Sequence, residues 1–280
     1  MRADGTLRPM DKTIADKNHG VYFVPGLHRG LQVLEAVGRS DKPLSITELA
    51  QHLKLSRSSM FRLVYTLQFM GFLRPTEDPK CFGLGARVLN LGFTYLAKQD
   101  IIQIARRDLE QLRDSTGIST HLAIRDGLDI LFLDCIQTRT GFLSNVNVGA
   151  RIPAHASPMG WLMLSDMSQR EIVSLFADAA FTKLTARTPG NVSALLKAIS
   201  GAAADGYVFS RGFVEPGGCS VAAPVFDSKG QVVAAIDASG PESAFDPARP
   251  EGFYVNAVRA AAAAISARLG YAPQLRPRNS

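Results

Sequence analysis

Apolar residues at Leu27, Leu31, Leu34 and Val37 recur at helical spacing up to Gly38 and predict a first amphipathic helix. Pro43 and Ser45 precede a second, short one, with Leu49, Ala50 and Leu53 on its apolar face. Ser56 stands as the cap of a third helix, in which Met60, Leu63, Val64 and Leu67 form one stripe and which Gly71 ends. Arg57, Ser58, Phe61, Arg62 and Tyr65 fall on or beside its opposite face. Phe72-Leu73-Arg74 and Cys81-Phe82-Gly83-Leu84 are short extended runs around a turn-rich Pro75 to Lys80, the pattern of a hairpin. Val21 to Val24, just ahead of Pro25-Gly26, are apolar enough to pack onto the first helix.

Three helices and a hairpin outline a winged helix-turn-helix, whose third helix enters a major groove while the wing follows the flanking backbone. The turn between helices two and three needs a left-handed residue, and Lys54 stands where glycine is common, at a cost of about 1 kcal/mol. Charge supports a polyanion partner. Residues 1–98 hold 14 Lys and Arg against 8 Asp and Glu, whereas the remainder holds 17 of each. Between Glu48 and Glu77 there is no carboxylate, yet Lys54, Arg57, Arg62 and Arg74 fall there. The candidate DNA-binding set is Thr47, Arg57, Ser58, Ser59, Phe61, Arg62 and Tyr65 for the groove, with Arg74 and Lys80 on the wing for phosphates. The rival reading is a helical module that uses the same geometry to bind protein.

From Leu84 to Lys98 a further helix is expected, with Val88, Leu91, Gly92, Tyr95 and Leu96 on one face, suited to a dimer contact or to burial within the chain. Beyond it the pattern is α/β. A helix over 101–115 leads to strands at 119–124 and 130–135, with Arg125-Asp126-Gly127 as the turn. Ser157 caps a helix carrying Trp161, Leu162 and Leu164, and further helices start at Ser168 and Val192. Strands return at 207–209, 220–226 and 231–238, and an Ala-rich helix over 247–269 closes the domain.

The 280 residues suffice for two domains, and the composition is that of an ordinary globular chain. No stretch is long and apolar enough for a spanning helix, and three dispersed cysteines form no CxxC pair, so a cytoplasmic protein without a membrane partner is expected. The expected organisation is a flexible arm over 1–25, a winged helix-turn-helix over 26–84, a linker helix over 85–99, an α/β domain over 100–272 and a tail over 273–280.

The run Leu55-Ser56-Arg57-Ser58-Ser59-Met60-Phe61-Arg62-Leu63, the nearby Gly71-Phe72-Leu73, and Gly83-Leu84-Gly85-Ala86-Arg87-Val88-Leu89 resemble the N-terminal domain of IclR-type bacterial transcriptional regulators. Val148-Gly149-Ala150-Arg151-Ile152-Pro153-Ala154-His155-Ala156-Ser157, Val221-Ala222-Ala223-Pro224-Val225 and Ala238-Ser239-Gly240-Pro241 are similar to the family's effector-domain signatures. The resemblance covers roughly 26–270. It implies a homodimeric or tetrameric regulator that binds a double-stranded DNA operator. It further implies a GAF-like (profilin-like) C-terminal α/β domain that takes a small-molecule effector, a carboxylic or aromatic acid catabolite being expected.

The resemblance also places Ser210, Ser220, Asp237 and Ser239 in the ligand cavity, and alternation puts Asp237 and Ser239 on one face of their strand. Ser157, Met159 and Gly160 open a helix whose free amides favour an anion, although Pro158 lacks an N–H. Asp237 would repel an acid unless paired, and Arg211 or His155 is available to compensate it. Catalytic motifs are missing: there is no GxSxG, Walker loop or HExxH. A Cys219/His155 nucleophilic pair and a metal set of His121, His155 and Asp237 lack spacing support, so no enzyme activity, metal or cofactor is expected. The alternative reading is a small-molecule enzyme or sensor fused to a protein-binding helical module.

Overall fold

Ser45 and Ser56 each start a helix by accepting a backbone hydrogen bond on the side-chain oxygen, from Glu48 N and Ser59 N, both at 3.2 Å. The Ser45 N–H donates in return to the Glu48 carboxylate, completing a capping box. In the computed structural model, which describes residues 20–138, 146–246, 248–249 and 251–272, the chain divides into two units, 1–98 and 99–280.

The first unit runs α1 (Pro25–Arg39), β1 (Leu44–Ser45), α2 (Ile46–His52), α3 (Arg57–Phe69), β2 (Leu73–Pro75), β3 (Cys81–Leu84) and α4 (Arg87–Ala97). Its core joins Val33 and Val37 of α1, Leu49 and Ala50 of α2, Met60 and Val64 of α3, and Leu73 and Phe82 of the wing. Lys54 has φ 52°, the one non-glycine residue with positive φ among the described residues. The turn therefore has the backbone that the spacing demanded.

Several expectations are corrected. The wing is three-stranded, in the order β1-β3-β2, because Leu44 and Ser45 pair with Phe82 and Cys81; two residues are too few to show a strand pattern. Of the expected α1 stripe, Val37 is buried and Leu34 packs against the core, but Leu27 and Leu31 are exposed and Val33 is buried in their place. Val21, Tyr22 and Val24 are also exposed, while Phe23 meets the His28 ring at 5.2 Å. Leu84 ends β3, so α4 begins only at Arg87, and no residue of α4 is buried within the chain. The expected tail at 273–280, and residues 1–19 of the expected arm, lie outside the described residues.

The second unit contains α5 (Asp100–Thr116), β4 (Thr120–Asp126), β5 (Asp129–Ile136), β6 (Arg151–Pro153), a 3-10 turn (Ala154–Ala156), α6 (Pro158–Leu164), α7 (Gln169–Leu175), α8 (Val192–Asp205), β7 (Val208–Arg211), β8 (Gly218–Phe226), β9 (Val232–Pro241) and α9 (Glu251–Arg268). Six antiparallel strands lie in the order β6-β5-β4-β9-β8-β7. One face carries Ala123, Ala222 and Ala235 against Met159, Trp161 and Leu162 of α6 and Leu195 and Ile199 of α8. On the other, α5 and α9 pack against each other and against β4 and β8. Small residues on the first face let α6 approach closely. The β4–β5 hairpin turns at Gly127-Leu128, one residue later than expected, since Asp126 still pairs with Asp129.

Candidate functional site

On the first unit, α3 presents Arg57, Ser58, Phe61, Arg62 and Tyr65 to solvent, and Phe61 and Tyr65 stack with centroids 6.4 Å apart. Thr47, Arg74 and Lys80 are exposed as well. Ser59 is half-buried, and its hydroxyl accepts from Ser56 at 2.9 Å, so it serves the helix cap. Arg87 donates to Met70 O at 2.8 Å at the end of α3 and lies 5.2 Å from the Phe72 ring centroid. This contact ties the start of α4 to the end of α3. Because α3 has no acid in its first turn, its N-terminal end is positive in both dipole and side chain.

The second unit holds a cavity of about 100 Å³. Ser157, Met159, Ser210, Ser220, Asp237 and Ser239 all line it, together with Phe132, Phe213, Glu215 and Cys219. Antiparallel register explains the convergence. Ser220 lies opposite both Ser210 and Ser239, and Asp237 lies opposite Ala222 on the same face. The Ser210 and Ser220 hydroxyls bond at 2.9 Å.

Gly160 lies behind this wall. A Cβ built on it would sit 2.2 Å from Ala154 O, so its contribution is the close packing of α6 on the preceding turn. Ser157 occupies the N-cap position of α6, but its side chain makes no capping hydrogen bond. Pro158 comes directly after it, and α6 is only seven residues long, which makes it a poor anion site. Trp161 is a core residue whose indole donates to His155 O at 2.8 Å and meets Phe213 edge-on.

Asp237 is paired, though by neither residue that the sequence offered. Arg211 is engaged by Glu242 at 3.0 Å and Glu251 at 2.7 Å, and His155 Nε2 lies 3.1 Å from Thr182 O. The partner is His121, fully buried on β4, whose Nδ1 lies 2.7 Å from Asp237 Oδ1 and 3.2 Å from Ser239 Oγ. A lone histidine within Thr120-His121-Leu122-Ala123-Ile124 was the available signal, since a buried imidazole needs a partner. Nothing in the sequence pattern marked Phe132, Phe213 or Glu215.

His155 packs against the Phe176 and Phe181 rings, and among the described residues no three His, Cys, Asp or Glu side chains form a metal-binding group. Burial pushes the Cys219 thiol up to about 11, against the pull of Arg211. Cys135 is pushed up to about 12 by burial and then by Asp237 and Asp134. Neither is an activated nucleophile. Among the described residues no helix is long and apolar enough to cross a membrane.

A family model described as bacterial transcriptional regulator IclR C-terminal matches residues 93–267, and one described as IclR helix-turn-helix domain matches 26–77. The HTH-type transcriptional regulator XynR of Escherichia coli (strain K12) is 28% identical over 249 residues, covering 89% of this chain and 98% of that protein. An IclR transcriptional regulator from Alicyclobacillus acidocaldarius shares the fold, with a TM-score of 0.75 at 21% identity, covering 89% of this chain and 100% of that one. So does an IclR homolog from Microbacterium hydrocarbonoxydans complexed with 4-hydroxybenzoate, with a TM-score of 0.74 at 23% identity, covering 87% of this chain and 98% of that one.

Proposed function

The chain belongs to the IclR family of bacterial transcriptional regulators, with a helix-turn-helix DNA-binding domain and a C-terminal effector-binding domain, and from that premise we propose how it reads DNA and where it takes its effector. The exposed, acid-free face of α3 carries the reading. Arg57, Ser58, Phe61, Arg62 and Tyr65 meet base edges and the groove walls, Thr47 and Ser59 support them, and Arg74 and Lys80 bind phosphates. The protein acts in the cytoplasm, where its operator is.

A symmetric oligomer sets two α3 helices on two half-sites. The uncovered apolar side chains of α4, with Leu89, Leu91 and Phe93 all exposed, and those of Leu27 and Leu31 support self-association as a homodimer or tetramer. The effector occupies the cavity walled by Ser157, Met159, Ser210, Ser220, Asp237 and Ser239, with Gly160 holding α6 in place, and its binding changes operator affinity.

Selection of a bound sequence from random duplexes by the full chain, and then titration at several salt concentrations, tests this. Specific retention with a steep loss of affinity as salt rises is expected. Failure to enrich any duplex, or affinity insensitive to salt, sinks the groove assignment, and a strict monomer that binds the selected site tightly rejects the two-half-site arrangement.

A further inference from the structure

Asp237 Oδ1 is bonded to His121 Nδ1, and Oδ2 has no hydrogen bond among the described residues, although the side chain lines the cavity and the residue is only 6% exposed. An acceptor left open at a cavity surface is available to a donor group on the occupant. His121 satisfies only one of the two carboxylate oxygens. Its Nε2 is buried with no partner among the described residues, and a proton there would be an unsatisfied buried donor. The arrangement that leaves Nε2 bare has Nδ1–H donating to Asp237 Oδ1, and Oδ2 stays the open acceptor.

The rest of the wall brings no cation among the described residues. Exposed Glu215 adds a second carboxylate, and no Lys, Arg or His lines the cavity among the described residues. Arg211, which touches Cys219 of the wall, is held by Glu242 and Glu251. The amides of α6 begin with a proline. Ser157, Ser239 and the Ser210–Ser220 pair offer hydroxyls that both donate and accept, and Phe132, Phe213 and Met159 form an apolar side. At about 100 Å³ the space is smaller than the roughly 150 Å³ that holds a benzene ring.

Granted that this cavity is the effector site, we propose that its ligand is a small hydroxylated molecule, uncharged or cationic, that donates a hydrogen bond to Asp237 Oδ2, and that simple carboxylate anions are disfavoured. The wall selects against an acid by setting two carboxylates before it with no counter-charge among the described residues. It selects for an amide, hydroxyl or ammonium group by leaving one acceptor open.

Trp161 is the only tryptophan of the chain and lies 5.1 Å, centroid to centroid, from the cavity-lining Phe213, so its fluorescence reports occupancy. Lactate, lactamide and 1-amino-2-propanol, close in size and differing in charge, are titrated into the full-length protein, with calorimetry as the second readout. Lactamide and 1-amino-2-propanol are expected to bind at least about tenfold more tightly than lactate. Asp237→Asn should shrink that gap to less than about threefold, and Glu215→Gln, at an exposed position, should move it the same way by a smaller factor. Lactate binding as tightly as lactamide overturns the inference and leaves the cavity as an effector site. No binding by any of the three overturns both, and a gap unchanged in both variants overturns the role given to the carboxylates.

Discussion

His121 Nδ1 and Asp237 Oδ1 lie 2.7 Å apart on the neighbouring strands β4 and β9, directly opposite in register, with more than a hundred residues of chain between them. The imidazole is fully buried and meets Phe132 edge-on, so each member is the other's means of being inside the protein. Removing one partner leaves a buried polar group unpaired, at a cost of about 1–3 kcal/mol beyond lost packing. In urea unfolding, His121→Ala and Asp237→Ala should each destabilise the second unit, and the double variant should cost less than the sum by about 1 kcal/mol or more. Strict additivity would show that the bond contributes nothing.

Gly160 and Gly201 should respond in opposite directions to alanine. The methyl at 160 would sit 2.2 Å from Ala154 O, backbone that cannot yield, whereas 201 lies inside α8 with nothing within 4 Å. Gly160→Ala is expected to lower stability by more than about 2 kcal/mol, as overpacked core sites do. Gly201→Ala should raise it by about 0.5–1 kcal/mol. Calorimetric melts of both variants decide the point.

Lys54 holds φ 52°, a conformation that costs an L-residue about 1–2 kcal/mol. After the greater backbone entropy of glycine is subtracted, Lys54→Gly should stabilise the first unit by about 0.5–1 kcal/mol. A lower melting temperature in that variant would mean that the lysine side chain contributes more than its backbone costs.

The Glu48 carboxyl is lowered from 4.5 to about 2, first by the Ser45 N–H, then by Lys42 and the Ser45 hydroxyl. A depressed folded-state value means that the stabilisation is complete above 4.5 and disappears as pH falls through about 2. The melting-temperature difference between wild type and Glu48→Gln should therefore be constant above about pH 5.5 and shrink steadily below it. A difference that grows on acidification contradicts the capping geometry.

Arg57 and Arg74 should separate the two kinds of DNA contact. Arg57→Ala is expected to lose about 1–3 kcal/mol on the selected site and to relax preference at one base position. Arg74→Ala should weaken all duplexes alike and reduce the salt slope by about one unit. Equal loss of preference in both variants would move Arg74 from the backbone to the bases.

Local order was legible because local physics makes it. The Ser56 cap, the apolar stripe of α3 and the left-handed turn at Lys54 each depend on residues close together along the chain. The hairpin strands showed the same way. Alternation likewise placed Asp237 with Ser239 on one face. What alternation cannot state is which strand lies alongside. The order β6-β5-β4-β9-β8-β7 is chosen by the burial of whole faces under α6, α8, α5 and α9, a sum over the domain that no window of sequence contains. That order made His121 the partner of Asp237 and left Arg211 to Glu242 and Glu251. It also drew four serines from separate segments around one cavity. The sequence determined what each segment becomes and which residues carry chemistry; the tertiary packing decided which of them meet, because pairing across strands is settled by burial and not by distance along the chain.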